Sequence, residues 1–198
     1  SGGASASGGA SGGVGGPRQA AARWGGREVS ATAVLHRILC WKESGLRPQE
    51  IPTGGVRGVA GDDAVARAAR ILYPEYQRRL RLMGQLDYCD LTLGVLRLFE
   101  AHPHVLRSYR GRFSHILVDE LQDSSAVQYE WLRRLSGQKS ATREGACIFA
   151  AADDDQSIYG WRGAARDNVL RYTMDWPNAA VFRMGETYRL TPHVLAAA

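Results

Sequence analysis

The sequence predicts an α/β fold in which a mainly helical region is followed by a parallel β-sheet with helical crossovers. Apolar residues recur at helical spacing through residues 34–99, with no strand-like run among them. Beyond residue 113, short apolar runs at 116–118, 147–152 and 181–184 alternate with helical stretches, as in βαβ units. The first two of these runs end abruptly in acidic residues, which is typical of buried parallel strands with polar loops at their ends.

The N-terminal segment, residues 1–28, is low in complexity and rich in Gly, Ser and Ala. Residues 1–16 hold 8 of the chain's 23 glycines and neither a charged nor an aromatic residue. Such a composition buries almost no apolar surface. We interpret it as a fragment boundary or a flexible linker, so the fold is carried by the rest of the 198 residues.

Residues 29–86 are expected to form a helical region. A first helix has Val34, Ile38 and Trp41 on one face and ends at Gly45. A second runs over about residues 64–83, and its internal proline at position 74 predicts a kink or two separate helices.

The region 87–185 opens with a third helix, which Asp87 can cap. Its expected inner face consists of Leu91, Val95, Leu98 and Phe99. The remaining elements are a strand at 116–118, a helix capped by Ser124 or Ser125, a strand at 147–152, a helix over about 164–174, a strand at 181–184 and a terminal helix starting at Thr191-Pro192.

Cysteine content and hydropathy exclude several classes of protein. Cys40, Cys89 and Cys147 are odd in number and widely spaced, so neither a disulfide scaffold nor a zinc site is expected. No apolar run reaches the ~20 residues of a membrane span, and the chain does not start like a signal or transit peptide. We therefore expect an intracellular protein without a membrane partner.

The net charge of +5 is unevenly distributed and comes almost entirely from arginine, with only two lysines. Residues 64–113 carry nine Arg against four acids, whereas 114–198 carry nine basic against eleven acidic residues. A basic segment beside an acidic one suits a polyanion surface next to a metal or nucleotide site. An arginine-rich solvated face is the alternative interpretation.

Asp119 and Glu120 directly follow the first predicted strand. In open parallel sheets, ligands bind beyond the carboxyl ends of the strands. There, one carboxylate can hold Mg²⁺ while the next polarises a water molecule aimed at a phosphate. Acidic residues also end many strands as ordinary caps, so this pair by itself leaves both interpretations open.

The loop after the second strand, DDDQSIYGWRGA at residues 153–164, is more specific. Gln156 can contact a phosphate oxygen, and Tyr159 and Trp161 offer flat faces on which bases can stack. Arg162 can hold a phosphate or stack as well. The alternative is that the two aromatic residues belong to the core, although their Gly- and Arg-containing surroundings are unusual for core positions.

These residues resemble a known family. DELQD at 119–123, DDDQSIYGWRGA at 153–164 and TYR at 187–189 are similar to motifs II, III and IV of the UvrD/PcrA/Rep group of superfamily 1 DNA helicases. LDYCDL at 86–91 and WKESGLRPQEI at 41–51 resemble further family segments. The resemblance implies a partial RecA-like P-loop NTPase core with a 1B-like helical insertion at 29–86, the second half of domain 1A at 87–185, and the start of domain 2A at 186–198.

The resemblance also implies roles for residues of motif II. Asp119 would hold Mg²⁺, with Glu120 beside the metal as general base for the attacking water. Gln122 and Asp123 would couple this nucleotide site to neighbouring motifs.

Motifs III and IV would supply the remaining functions. Gln156 would contact the γ-phosphate of ATP and relay its presence to the DNA-binding residues Tyr159, Trp161 and Arg162. Tyr188 would stack on adenine, and Arg189 would stabilise the transition-state charge. The alternative interpretation of Tyr188 and Arg189 is that they form the tip of an ordinary amphipathic strand.

This sequence departs from the family pattern in several places. Ala152 stands where the family has Gly, Leu121 replaces Phe, and Thr187 and Leu190 flank the Tyr-Arg pair in place of Asn and Ser. No phosphate-binding GxxxxGK[ST] loop occurs, because neither Lys42 nor Lys139 has the required glycines.

Taken together, the resemblance implies part of an ATP-dependent helicase that moves 3′ to 5′ on single-stranded DNA and unwinds duplex DNA. The fragment is expected to be inactive alone, with a nuclear, bacterial cytoplasmic or mitochondrial location. The alternative is a non-catalytic DNA-binding or regulatory paralogue that has lost ATPase activity.

Overall fold

The computed structural model describes residues 21–24, 27–51, 64–137, 145–160, 164–165 and 167–197. Most of the low-complexity segment, and the predicted DNA-binding residues Trp161 and Arg162, lie outside these ranges. The chain forms two compact units, residues 1–94 and 95–198.

The first unit begins with an antiparallel hairpin of β1 (Ala21–Trp24) and β2 (Arg27–Ser30), which the sequence did not predict. Helix α1 (Ala31–Glu43) follows, as expected from its apolar spacing. Gly45 ends it with φ at 84°, a left-handed conformation that glycine adopts without steric cost.

Helix α2 (Ala64–Leu82) packs against α1. Pro74 lies inside this single continuous helix, so the alternative of two separate helices is wrong. Alanines 66, 68 and 69 are buried, and their small side chains allow the two helices to approach closely. Tyr73 is fully buried beside them, and its hydroxyl donates to the carbonyl of Leu46 at 3.0 Å, so this buried hydroxyl is hydrogen-bonded.

Helix α3 (Tyr88–Ala101) starts where the sequence predicted, because Oδ1 of Asp87 accepts from the backbone N–H of Asp90 at 2.9 Å. Its inner face is rotated from the expected one. Leu91 and Leu98 are 53% and 42% exposed, and the buried residues are Leu93, Leu96 and Phe99. Asp90 explains the rotation, because its buried carboxylate is held by a lysine of α1 and its side of the helix turns inward.

The second unit contains α4 (Pro103–Arg110), β3 (His115–Val118), α5 (Ala126–Ser136), β4 (Cys147–Ala150), α6 (Asp167–Asp175) and α7 (Pro192–Ala197). Helix α4 was not predicted from the sequence. Pro103 occupies its first position, where a missing N–H costs nothing, so this proline begins the helix.

The sheet consists of β3 and β4, which pair in parallel with Val118 opposite Ala150. This confirms the predicted strand–helix–strand crossover through α5. One face of the sheet packs on a core around Leu121, Tyr129 and Leu132. On the other face, Leu117 and Phe149 are 77% and 63% exposed.

The prediction of a third strand at Val181–Met184 is wrong. These residues have no strand assignment and are exposed, with Phe182 at 84% and Met184 at 96%. A strand exists only when a neighbour accepts its hydrogen bonds, and none of the described strands pairs with this segment.

Candidate functional site

The candidate site lies at the carboxyl edge of the sheet, where the chain leaves β3 and β4. Because the two strands are parallel and in register, their following loops start side by side. Ala151 donates its N–H to the carbonyl of Val118 at 2.9 Å, and Leu121 donates to the carbonyl of Ala151 at 3.0 Å. The acidic residues predicted on the two loops therefore belong to one site.

Glu120 has an unusual backbone. With φ at 52° and ψ at 48° it is the one non-glycine residue of the described chain in the left-handed region. A side chain there costs roughly 1–2 kcal/mol, and such strain is concentrated at functional sites. Oδ1 of Asp119 accepts from the N–H of Glu120 at 3.1 Å, and both carboxylates remain exposed.

Gln122 connects the two loops. Its side chain is 1% exposed; Nε2 donates to Oε2 of Glu120 at 2.6 Å, and Oε1 accepts from the N–H of Asp153 at 3.0 Å. A buried amide with both ends bonded has one orientation, so the Glu120 carboxylate is fixed relative to the start of the second loop. The sequence placed Gln122 in a coupling role, and this contact gives that hypothesis a geometry.

The second loop starts with a short 3₁₀ turn, Asp154–Gln156, capped by Asp153. Oδ1 of Asp153 accepts from the N–H of Asp155 at 3.1 Å, while Oδ2 accepts from Nε2 of Gln156 at 2.6 Å. Both Asp153 and Gln156 are exposed. The chain Glu120–Gln122–Asp153–Gln156 thus joins the predicted general base to the predicted phosphate-contacting amide by hydrogen bonds.

The far end of this loop is anchored to the same segment that follows β3. Ala165 donates its N–H to the carbonyl of Ser124 at 3.0 Å, and Nδ2 of Asn168 donates to that carbonyl at 2.8 Å. Asn168 is fully buried. The sequence did not predict this anchoring role. The local signal was weak, because an asparagine in the first turn of a helix ordinarily indicates only a cap.

Ser125 caps α5, accepting from the N–H of Gln128 at 3.3 Å while the Gln128 side chain accepts from the N–H of Ser125. The sequence had named Ser124 or Ser125, and the structure selects Ser125. With this cap in place, residues 122–125 are held rigidly and fix both ends of the 153–165 loop.

The predicted aromatic and arginine contacts are less organised. Tyr159 is 36% exposed on the loop, and Tyr188 is 94% exposed. The Tyr188 hydroxyl donates to Oε2 of Glu186 at 2.8 Å, and the Arg189 N–H donates to the Thr187 hydroxyl at 3.4 Å. These hydrogen bonds of Tyr188 and Arg189 are local, so they do not bring the pair to the acidic loops.

The donor set suits a hard cation such as Mg²⁺, which takes one or two carboxylates and completes its shell with phosphate oxygens and water. Asp119 and Glu120 supply two exposed carboxylates. Oδ1 of Asp123 is buried without a hydrogen-bond partner in the described structure. Within the described ranges, no group of three or more His, Cys, Asp or Glu residues could hold a metal ion.

A parallel sheet with fixed carboxylates at its carboxyl edge defines the class of α/β proteins that bind ligands beyond their strand ends. A family model, the UvrD/REP helicase N-terminal domain, matches residues 18–177. The chain belongs to this family of UvrD-like superfamily 1 helicases.

Curated relatives agree with the family model. The chain is 38% identical over 169 residues to a probable DNA helicase II homolog of Rickettsia felis, covering 85% of this chain and 24% of the relative. It is 38% identical over 157 residues to DNA helicase II of Escherichia coli, which covers 79% of this chain and 20% of that relative. It is 37% identical over 169 residues to the ATP-dependent DNA helicase UvrD1 of Mycobacterium tuberculosis, which covers 82% of this chain and 21% of that relative.

The chain therefore spans about a fifth to a quarter of the length of these relatives. None of the helices in the described ranges is both long and apolar enough to cross a membrane. The cysteines within those ranges, at positions 40, 89 and 147, are free thiols.

Proposed function

We propose that this chain is part of an ATP-dependent DNA helicase, in which its second unit forms half of a RecA-like motor domain and its helical region a 1B-like insertion. The motor moves 3′ to 5′ along single-stranded DNA and unwinds duplex DNA with ATP and Mg²⁺. The observation that carries the proposal is the Gln122 bridge, which joins the Glu120 carboxylate to the loop bearing Gln156 and Tyr159.

In this proposal, Asp119 and Glu120 hold Mg²⁺ together with the phosphates of ATP. The bound ion neutralises charge on the phosphates. Glu120 also orients a water molecule and accepts its proton, and the 2.6 Å hydrogen bond from Gln122 keeps the carboxylate aimed.

Gln156 senses the γ-phosphate in the proposed mechanism. Its amide now bonds to Asp153, which is exposed, so a phosphate oxygen can compete for the same donor. Because both ends of the loop are anchored to residues 122–125, a shift at Gln156 is transmitted to Tyr159 within the loop. Tyr159, Trp161 and Arg162 then contact single-stranded DNA.

Tyr188 and Arg189 complete the proposed site by stacking on adenine and stabilising the transition-state charge. Their exposure leaves both side chains accessible to a nucleotide. An arginine in this role changes hydrolysis rates by about 10³–10⁵-fold in other nucleotide hydrolases.

The proposal is tested in a chimera in which this chain replaces the matching segment of E. coli DNA helicase II. We expect Gln122→Ala to lower the DNA-stimulated ATPase rate about 10–100-fold, since a mispositioned catalytic group costs roughly that much. The matched control is Gln85→Ala, which removes an exposed glutamine that has no part in either loop and is expected to leave the rate within about twofold.

Equal rates for the Gln122→Ala and unchanged chimeras would contradict the coupling role. If the unchanged chimera bound single-stranded DNA but hydrolysed no ATP, the non-catalytic alternative would replace the helicase proposal.

A further inference from the structure

A basic, acid-free segment lies at the opposite end of β3 from the acidic site. Between Glu100 and Asp119 the chain has no acidic residue, and residues 102–115 carry three arginines and three histidines. Helix α4 and the turn leading into β3 present this segment. Since β3 is four residues long, roughly 13 Å separates the basic end from the acidic end.

Two arginines of this segment have no carboxylate partner among the described residues. Arg107 and Arg112 are exposed, and neither forms an ion pair with any described residue. Glu100, the preceding acid in the chain, is already paired with Arg134 at 2.9 Å. The positive charge at Arg107 and Arg112 is therefore available to an external anion.

The segment is also held in a defined shape. Nε of Arg110 donates to the carbonyl of Arg134 at the end of α5 at 2.7 Å, which fixes α4 against that helix. The guanidinium of Arg112 lies 4.8 Å from the centre of the Tyr109 ring, a cation–π arrangement that orients the charge. Arg107 on the fixed helix and Arg112 in the turn that follows it therefore form one surface, in which the Arg112 charge is oriented by the Tyr109 ring.

The arginines of α2 provide a contrast within the same chain. Arg78 and Arg79 are exposed as well, yet both pair with Glu75, at 2.6 Å and 2.8 Å. Part of their charge is neutralised locally. Phosphate binding releases counterions only where a positive charge is not already matched, so the α4 surface is the better polyanion contact.

We propose that the α4 surface, defined by Arg107, Arg110 and Arg112, binds the phosphate backbone of duplex DNA. Duplex DNA is favoured over a single strand because single-strand binding depends on aromatic faces for base stacking. Here the Arg112 guanidinium already lies over the Tyr109 ring, and the centroid of that ring is 6.1 Å from the centroid of the Phe99 ring. The Tyr109 ring is therefore not free to stack on a base. The duplex also has the higher charge density.

This inference rests on the proposed function in one respect only, namely that DNA is the substrate. It adds a duplex contact at the amino end of β3, separate from the single-strand contact proposed for the loop after β4. It requires neither ATP binding nor hydrolysis, and the two proposals can therefore fail independently.

The test uses the 198-residue chain and a fluorescein-labelled 24-bp duplex, with an unstructured 24-nucleotide single strand as the second probe. Fluorescence anisotropy is measured between about 50 and 250 mM salt. For Arg107→Gln/Arg112→Gln we expect duplex affinity to fall about tenfold at 100 mM salt, and the slope of log affinity against log salt to fall by about 2, since two phosphate contacts are lost.

The matched control is Arg78→Gln/Arg79→Gln, which removes the same net charge from arginines that already have a carboxylate partner. Its duplex affinity is expected to change by less than about threefold. Circular dichroism melting confirms that both double variants are folded. Equal losses in the two double variants, or no loss in the α4 variant, would overturn the inference.

The single-strand probe separates the remaining outcomes. If the α4 variant weakens single-strand binding as much as duplex binding, the assignment to duplex DNA is wrong. If Tyr159→Ala leaves single-strand binding unchanged while the α4 variant loses duplex binding, the loop contact of the proposed function fails and the α4 surface stands.

Discussion

Two polar clusters in this chain contain similar groups yet have opposite surroundings. In the first unit, Nζ of Lys42 is fully buried and contacts Oδ2 of Asp87 at 2.5 Å, Oδ1 of Asp90 at 2.7 Å and Oε1 of Gln77 at 2.9 Å. In the second, Asp119, Glu120 and Asp153 are exposed and no arginine or lysine of the described chain pairs with them.

The difference shows how carboxylates that stabilise the fold in one place can stay exposed in another, where the proposed function uses them to bind a cation. A buried charge must be matched within the fold, because its desolvation costs several kcal/mol per ion. Around Lys42 that matching is complete, and Gln77 and the Tyr76 hydroxyl add hydrogen bonds to the two carboxylates. The exposed carboxylates keep their charge uncompensated, which leaves them available to a cation.

The largest expected effect concerns the exposed cluster. In the E. coli chimera, Glu120→Gln should lower the DNA-stimulated ATPase rate by about 10²–10⁴-fold, the usual contribution of a general base. The melting temperature should hardly change, since the amide keeps a hydrogen bond to Gln122. Hydrolysis is measured by phosphate release, and a rate within threefold of the unchanged chimera would contradict the assignment of Glu120.

The second effect concerns the buried cluster. Lys42→Met leaves the buried Asp90 carboxylate and the half-buried Asp87 carboxylate without their cation. It should lower the free energy of unfolding by about 3–5 kcal/mol, measured by urea denaturation of the 198-residue chain. Arg78→Met is the control. That arginine is 56% exposed in its ion pair with Glu75, so its loss should leave the free energy of unfolding nearly unchanged. Similar losses in the free energy of unfolding of the two variants would contradict a special structural role for the Lys42 cluster.

The smallest effect is a pH dependence. Burial by itself would raise the pKa of Asp87, but hydrogen bonds from Lys42, the Asp90 N–H and Tyr76 outweigh it and hold this pKa below its usual value. The folded state therefore binds the Asp87 proton less readily than the unfolded state. Its contribution to stability is present above about pH 4 and is lost as the pH falls through the lowered pKa.

Urea denaturation from pH 6 to pH 3 measures this dependence, and Asp87→Asn should make the decline of stability with falling pH shallower. Glu75 provides a comparison, because hydrogen bonds from Arg78 and Arg79 lower its pKa to about 2. Since Glu75 is on the surface, added salt should weaken its contribution to the pH dependence of stability. The contribution of Asp87 should remain. An unchanged pH profile in Asp87→Asn would count against the Lys42 cluster as a source of acid sensitivity.

Predictions from sequence succeeded where local pattern decides the outcome. The apolar spacing of α1, the proline at the start of α7 and the apolar runs of β3 and β4 each indicated the element that is present. The acidic residues after the two strands were expected at one edge of the sheet, and the parallel pairing places them there.

Predictions failed where a partner elsewhere in the chain decides. Leu91 and Leu98 fit a helical stripe, yet the ion pair between Asp90 and Lys42 turns a different side of α3 inward. Phe182 lies in a strand-like run, but no neighbouring strand accepts its hydrogen bonds among the described residues. Lys42 itself was considered only as a candidate for a phosphate-binding loop, because a single lysine gives no local sign of burial.

The sequence by itself determined the class of fold, the family resemblance and the position of acidic residues after two strands, because strand length, helical spacing and the order of residues in a motif are local properties. Only the tertiary structure decided that Gln122 links Glu120 to Asp153, that Asn168 anchors the far end of the loop and that the charge on α4 is unpaired. Hydrogen bonds and ion pairs between distant residues depend on distances of a few ångströms, and those exist only once the chain has folded.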